Sequence, residues 1–230
     1  MTHVLDRPVW TALTTRHAHV AAGGERARRF VPDIGPLAAA RDDAPESLTA
    51  LAELAPADGG LLLLQADPIV LPPSLVATTT AEGVQLVLEA PALLAAVPED
   101  PRVVALGDGD AAAMHALATL TRPGPFAART HVLGDFVGVV EGGELIAMAG
   151  ERMKQPGFTE VSAVCTRPEA RGRGLARGLS ALVARRIVAR GETPYLHAYA
   201  TNTAAIRLYE SLGFRLRRAM HVAVVERAPS

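Results

Sequence analysis

Between Phe158 and Gly191 the chain passes from a Val- and Thr-rich segment, through Arg167-Pro168-Glu169-Ala170-Arg171-Gly172-Arg173-Gly174, into apolar residues at helical spacing: Leu175, Leu179, Leu182, Val183 and Ile187. The first part, Phe158–Thr166, predicts a strand, and the last predicts a helix stopped by Gly191. A strand end and a helix start must therefore meet across a very short turn, which commits this region to an α/β arrangement. Amide N–H groups in a helix's first turn have no intrahelical acceptor, and the macrodipole adds partial positive charge there. Glycines at 172 and 174 remove the side chains that would keep a phosphate from the backbone. Such a turn suits a phosphate.

Three familiar phosphate or nucleic-acid patterns fail here. A P-loop needs Gly-x4-Gly-Lys-Ser/Thr, and no Lys-Ser or Lys-Thr follows this turn. A dinucleotide fingerprint needs Gly-x-Gly-x-x-Gly, whereas the spacing is Gly172-x-Gly174-x-x-x-Gly178. The acid some twenty residues on, Glu192, precedes the next strand instead of ending it. One Arg-Gly-Arg-Gly at a helix start, without repeats or interleaved aromatics, does not make an RNA-binding segment.

Elsewhere, Arg102–Leu106 predicts a strand and Ala111–Thr121 a helix capped by Asp108 or Asp110. Phe136–Val140 and Leu145–Ala149 flank Glu141-Gly142-Gly143-Glu144, a hairpin signal because Gly-Gly supplies positive φ in a tight turn. Tyr195–Ala200 predicts a strand, Thr203–Leu212 a helix ended by Gly213, and Phe214–Val225 a terminal extended segment. The first hundred residues carry weak periodicity: a helix over Ser47–Leu54, entered through Pro45-Glu46 and stopped before Pro56, and short strands at Leu61–Leu64 and Val84–Leu88. Two prolines and two acids in Val97-Pro98-Glu99-Asp100-Pro101 suggest a boundary there, giving lobes 1–100 and 101–230.

With 49% hydrophobic residues in 230, core material is ample. The most apolar run, Leu61–Val76, is broken by Gln65, Asp67, Pro68, Pro72 and Pro73, too short for a membrane span. No basic and apolar leader opens the chain, and a lone Cys165 offers no disulfide or metal motif, so a cytoplasmic protein without a metal or membrane association is expected. Charge is uneven: residues 1–120 hold 7 Arg against 15 Asp and Glu, whereas 121–230 hold 16 Lys and Arg against 9 acids. An anionic ligand would be drawn to the second half.

Arg171-Gly172-Arg173-Gly174-Leu175-Ala176 resembles the Arg/Gln-x-x-Gly-x-Gly/Ala motif of the GNAT superfamily, preceded as in that family by a strand ending Val164-Cys165-Thr166. Downstream, Asn202-Thr-Ala-Ala205-Ile-Arg-Leu208-Tyr209-Glu-Ser-Leu-Gly213-Phe214 resembles its Asn-x-x-Ala-x-x-Leu-Tyr-x-x-x-Gly-Phe signature, and Ala147–Met153 resembles one branch. The resemblance covers about 101–230. It implies a mixed, mainly antiparallel GNAT sheet flanked by helices (α/β, α+β), with an extra N-terminal lobe read as an auxiliary or degenerate GNAT-like unit. It implies a cleft where two parallel strands, about 158–166 and 194–200, splay apart. It further implies acetyl-CoA as acyl donor and an amine as acceptor, with neither nucleic acid nor membrane as partner, in a monomer or homodimer. Carried over by position, amides of Arg173, Gly174 and Ala176 would hold the pyrophosphate, with Gly172 and Leu175 completing the turn. The edge of Val164, Cys165 and Thr166 would pair with pantetheine amides; Asn202 would position that arm and Tyr209 would sit near the sulfur. Arg171, Arg173 or Arg177 would meet the phosphates by charge.

Acyl transfer to an amine needs a neutral nitrogen and protonation of the departing thiolate, for which Tyr209 is the candidate acid. With tyrosine near 10 and a thiol near 8.5, that transfer is uphill by about 2 kcal/mol. Glu160, in register with Ser162 and Val164, is the candidate base, with Glu151 on the preceding strand a second choice. His197 and Tyr199 share a strand face and are read as packing, as is Cys165. A non-catalytic acyl-CoA sensor is the rival reading. The N-terminal lobe is expected to pack on the catalytic sheet and to supply part of the acceptor pocket, its acids available to a cationic acceptor.

Overall fold

The computed structural model describes residues 3–229. In chain order, helix α1 (Pro8–Thr14) leads to strands β1 (Ala21–Gly23), β2 (Ala27–Phe30) and β3 (Leu37–Ala40), helix α2 (Pro45–Glu53), then β4 (Leu61–Gln65) and β5 (Leu75–Leu88). Next come β6 (Val103–Leu106), α3 (Ala111–Thr121), β7 (Phe136–Glu141), β8 (Glu144–Gln155) and β9 (Phe158–Thr166). The chain ends with α4 (Leu175–Ala189), β10 (Thr193–Tyr199), α5 (Thr203–Ser211) and β11 (Phe214–Arg227).

All eleven strands join one sheet in the order β1-β2-β3-β4-β11-β5-β10-β9-β8-β7-β6. Only β3–β4 and β9–β10 are parallel, so the sheet is mixed and mainly antiparallel, as expected. The Gly142-Gly143 hairpin forms as read: both glycines have positive φ, +59° and +84°, and Glu141 pairs with Glu144 across a two-residue turn. Pro45 opens α2, where its fixed φ suits a helix's first position.

The departures lie mainly before residue 100. Val84–Leu88 is only the end of the fourteen-residue β5, whose Thr78–Thr80 stretch is largely exposed and so lacks apolar alternation. This strand lies between β10 and β11, pairing with both. Residues before Pro98 thus supply an interior strand to the sheet that the later residues build. Helix α1 and strands β1–β3 gave no legible signal, all being short and the strands consisting largely of Ala and Arg.

Alternation along β8 and β9 divides the core. Ile146, Ala149 and Val161 pack with Leu175, Leu179, Val183 and Ile187 of α4 and with Leu212 and Phe214. Leu145, Met148 and Cys165 pack on the other face with Met114 and Leu117 of α3. Helix α1 lies against β8 as well as β2–β4, and Val9, Leu13, Phe30 and Leu37 bury with Met153 and Met220. The amino-terminal elements are thereby sealed onto the sheet.

Candidate active site

The sheet opens at its centre. Strands β9 and β10 pair only from Phe158 and Thr193 to Glu160 and Tyr195; beyond that point β10 follows β5 while β9 follows β8. A register shift opposite Ala149 marks a bulge in β9, where Ala163 has φ +53°. Bulges bend a strand and increase its twist, which carries the second half of β9 away from β10. From Val161 to Thr166, one edge of β9 therefore has no neighbouring strand, leaving backbone groups for another partner.

The Arg/Gly turn follows directly. Gly172 and Gly174 both have φ +77°, and no atom lies within 4 Å of where a Cβ would stand at either, so the turn is open on that side. Gly174 caps α4 and brings no side chain to its first-turn amides. Leu175 is buried beneath, Ala176 half-buried, and Arg171 and Arg173 exposed. Arg173 is held by Glu141 (Nη1 to Oε2, 3.0 Å), which also pairs with Arg102. A cavity of about 790 Å³ runs along this side of α4, its rim carrying Arg102, Arg173, Arg177, Arg185 and Arg186. Glu99 and Asp100 also line it, paired with Arg185 and Arg102, so five arginines meet two acids and the balance is positive, in keeping with a phosphate-bearing ligand.

A second cavity, of about 200 Å³, occupies the gap itself. Although smaller, it gathers residues singled out from the sequence, because Val164 of β9, Asn202, and Tyr209 of α5 all line it, with Ser162 beside them. Asn202 caps α5, its Oδ1 accepting the Ala205 N–H at 3.2 Å. Tyr209 packs edge-on to Phe214 at 6.1 Å. Burial, with a smaller contribution from Cys165, pushes its hydroxyl up to about 12. Burial also pushes the Cys165 thiol up to about 11, so it stays a thiol packed beneath α3.

Glu160 is fully buried beside the gap. Its Oε2 accepts from Arg152 Nε at 2.8 Å and the Met153 N–H at 3.3 Å; its Oε1 accepts from Arg152 Nη2 at 2.8 Å and His197 Nδ1 at 2.7 Å. Burial alone would raise its carboxyl, but the charge and hydrogen bonds of Arg152, with His197, hold it at about 2. A base role for Glu160 needs a raised carboxyl or a relay through water, and Arg152 and His197 lower the carboxyl, which leaves the relay. The same contacts make Glu160 an anchor. His197 Nε2 lies 2.9 Å from Gln85 Nε2, which also donates to Leu5 O, while Gln85 Oε1 accepts from Arg217. Arg217 in turn donates to Asp6 at 2.6 Å. With the amide so fixed, His197 carries its proton on Nδ1 and accepts at Nε2. A polar chain thus crosses β8, β9, β10, β5 and β11 and ends in the amino-terminal segment.

Residues 136–223 match the family model described as FR47-like protein. A GNAT-family protein of known structure from Novosphingobium aromaticivorans is 45% identical, superposing with a TM-score of 0.91 over 99% of this chain and 100% of its own. The chain belongs to the GNAT family. A GCN5-related N-acetyltransferase from Kribbella flavida shares the fold at 18% identity, with a TM-score of 0.66 over 97% of this chain and 96% of its own. A Drosophila protein does so at 20% identity and 0.65, over 88% and 74%. No curated protein matches the chain.

The GNAT gap gathers Val164, Asn202 and Tyr209, with Arg171–Ala176 at the head of the neighbouring helix. Glu151 lies elsewhere, its carboxylate held by Arg190 at 2.6 Å and Lys154 at 2.9 Å. His197 and Tyr199 line the cavity, and sequence reasoning had left both as packing. Arg122 and Arg152 went unsuggested, as did Leu37, Leu62 and Leu64 from the amino-terminal strands. For Leu62 and Leu64 the strand expected at Leu61–Leu64 put both on one face without saying what that face meets, and for Leu37 no signal existed. For Arg122 the adjoining Pro123-Gly124-Pro125 was the available hint of a fixed loop. Among the described residues, no group of three or more His, Cys, Asp or Glu could hold a metal, and no helix is long and apolar enough to cross a membrane.

Proposed function

We propose that this GNAT protein transfers an acetyl group from acetyl-CoA to an amine. The supporting observation is the opening between β9 and β10, which has the Arg/Gly helix start at one end and the Tyr209 side chain in its wall. Amides of Arg173, Gly174 and Ala176 hold the pyrophosphate, the free edge at Val164, Cys165 and Thr166 pairs with the pantetheine amides, and Asn202 steadies that arm. Acetyl-CoA supplies the activated thioester. The bond formed joins the amine nitrogen to the acetyl carbon, and the bond broken is carbon to sulfur. One proton leaves nitrogen for water, and sulfur receives one from Tyr209, which recovers it from solvent.

Burial alters the energetics of that last transfer. From about 12 to a thiol near 8.5 is roughly 3.5 units, or about 5 kcal/mol, in place of the 2 expected from ordinary values. Turnover at 1–10³ per second corresponds to a barrier of about 13–17 kcal/mol, so Tyr209 remains competent as the acid. Glu160, with Arg152, acts as a positioning residue that orients His197. Thiol release from acetyl-CoA in the presence of an amine panel tests the proposal. Coenzyme A binding by calorimetry without amine-dependent thiol release would favour a sensor and overturn it.

A further inference from the structure

We infer that the acceptor is an amine that also bears a carboxylate and an apolar side chain, an apolar α-amino acid being the simplest such molecule, and that Arg122 holds its carboxylate. This rests on the acyltransferase reading above and concerns the opposite side of the same gap. The central cavity shares Leu62, Arg122, Gly124, Pro125 and Tyr199 with an adjoining one of about 300 Å³. Together they run from Tyr209 outward between the loop after α3 and the amino-terminal strands. One wall is apolar, with Leu37, Leu62, Leu64 and Val222 near the gap and Leu61 and Val224 further out, while Ser162, His197 and Asn202 line the other side of the central cavity.

The charge of this space is one-sided. Among the described residues lining the two cavities there is no Asp or Glu, while two arginines are present. A polyamine, a lysine side chain or an aminoglycoside would bring cations in need of acidic partners, and would meet guanidinium groups instead. The acids of the amino-terminal lobe, expected to serve such an acceptor, are not in its walls. Arg152 is offset by Glu160. Arg122 is exposed and forms no ion pair among the described residues, leaving the space a net positive charge.

The backbone at Arg122 points the same way. It ends α3 at φ +50°, ψ +56°, a left-handed conformation that costs a residue with a Cβ roughly 1–2 kcal/mol and that Gly or Asn adopts more readily. Pro123 and Pro125 then restrict the loop that carries it, so the guanidinium's root is held before a ligand arrives. A guanidinium matches a carboxylate through two parallel N–H···O bonds. With the carboxylate there, an α-amine lies on the gap side and the side chain against the leucine wall.

The test uses the full-length protein, acetyl-CoA and four amines: leucine, leucinamide, isopentylamine and spermidine. Leucine is expected to exceed the other three at least tenfold in kcat/KM. Arg122→Asn, which suits the left-handed backbone, should raise KM for leucine at least tenfold and abolish the preference for leucine over leucinamide, with KM for acetyl-CoA unchanged and Tm not lowered. Spermidine preferred, leucine no better than leucinamide, or an unaltered leucine KM in Arg122→Asn would each overturn the acceptor class while amine-dependent thiol release upholds the transferase. Release with none of the four, despite coenzyme A binding, would overturn both.

Discussion

The two sides of the central gap are built in different ways. On the acetyl-CoA reading proposed above, the coenzyme side comes from one continuous stretch, Phe158 to Phe214: a strand, an Arg/Gly turn, a helix, a second strand and an Asn-capped helix. The acceptor side is assembled from Leu37 on β3, Leu62 and Leu64 on β4, Arg122 after α3, Arg152 on β8 and Val222 on β11. Phosphate recognition through backbone amides demands a helix start and glycines at fixed offsets, and that demand is local in sequence. An apolar wall demands only volume and the right face of a strand, which many sequences meet. The coenzyme side therefore leaves a motif, while the acceptor side leaves none.

The strongest way to break this division is to remove residues before Asp100. If the sides were separable modules, residues 100–230 would fold and bind coenzyme A. The sheet argues otherwise, because β5 lies between β10 and β11 and its loss bares an edge of each and takes Leu86 and Leu88 out of the core. The expected outcome is complete: no cooperative unfolding transition and no coenzyme binding. A soluble fragment with wild-type affinity would show that the division runs through the fold as well as the site. Next in size is Tyr209→Phe, which removes one hydroxyl where the sides meet. Turnover should fall by about 10²–10⁴ with coenzyme affinity unchanged, as for loss of a general acid; a variant as fast as wild type would reduce Tyr209 to a packing residue. Gly174→Glu acts on the coenzyme side alone. No protein atom stands within 4 Å of the new Cβ, so the penalty comes from positive φ and from like charge facing a phosphate. Coenzyme affinity by calorimetry should weaken by about 10–100-fold; unchanged affinity in a folded variant would remove the turn from the coenzyme site.

The same division explains what the sequence disclosed. Gly142-Gly143, Pro45 and the leucine spacing of α4 each encode a local decision, and each was legible. The length and place of β5 were not, because Thr78–Thr80 are exposed in the sheet and no local rule tells a strand which neighbours it will take. Glu160 shows the limit for side chains. Alternation set it in line with Ser162 and Val164, but in the structure it lies buried behind the cavity wall, held by Arg152 from the neighbouring strand and His197 from another, contacts that arise only when three strands align. A titratable residue became an anchor because of partners distant in sequence.

The smallest effect expected concerns acid. His17 follows α1, where the amino-terminal elements meet β8; its Nε2 accepts the Lys154 N–H at 3.1 Å and its ring meets Phe30 edge-on at 5.8 Å. Burial, then the charge of Lys154, holds the imidazole at about 4 against an ordinary 6.5. The folded-state value is lowered, so below 6.5 the unfolded chain takes up a proton that the folded chain refuses. Stability is full above 6.5 and is lost as pH falls towards 4, by about 3 kcal/mol over the whole interval and about 2 by pH 5. Glu160, also lowered, acts in a more acidic window: its contribution is present above about 4.5 and lost as pH falls towards 2. Acid should therefore loosen the junction that supports the acceptor side before it reaches the anchor beside the gap. Trp10, the only tryptophan, packs in the same cluster as His17's neighbour Phe30 and reports on that junction. Urea unfolding followed by its fluorescence should show wild-type stability falling between pH 7.5 and 5 by about 2 kcal/mol more than that of His17→Asn, which has no proton to gain. Parallel pH profiles for the two proteins would mean that the junction does not titrate in this range, and that the acceptor side is no more sensitive to acid than the coenzyme side.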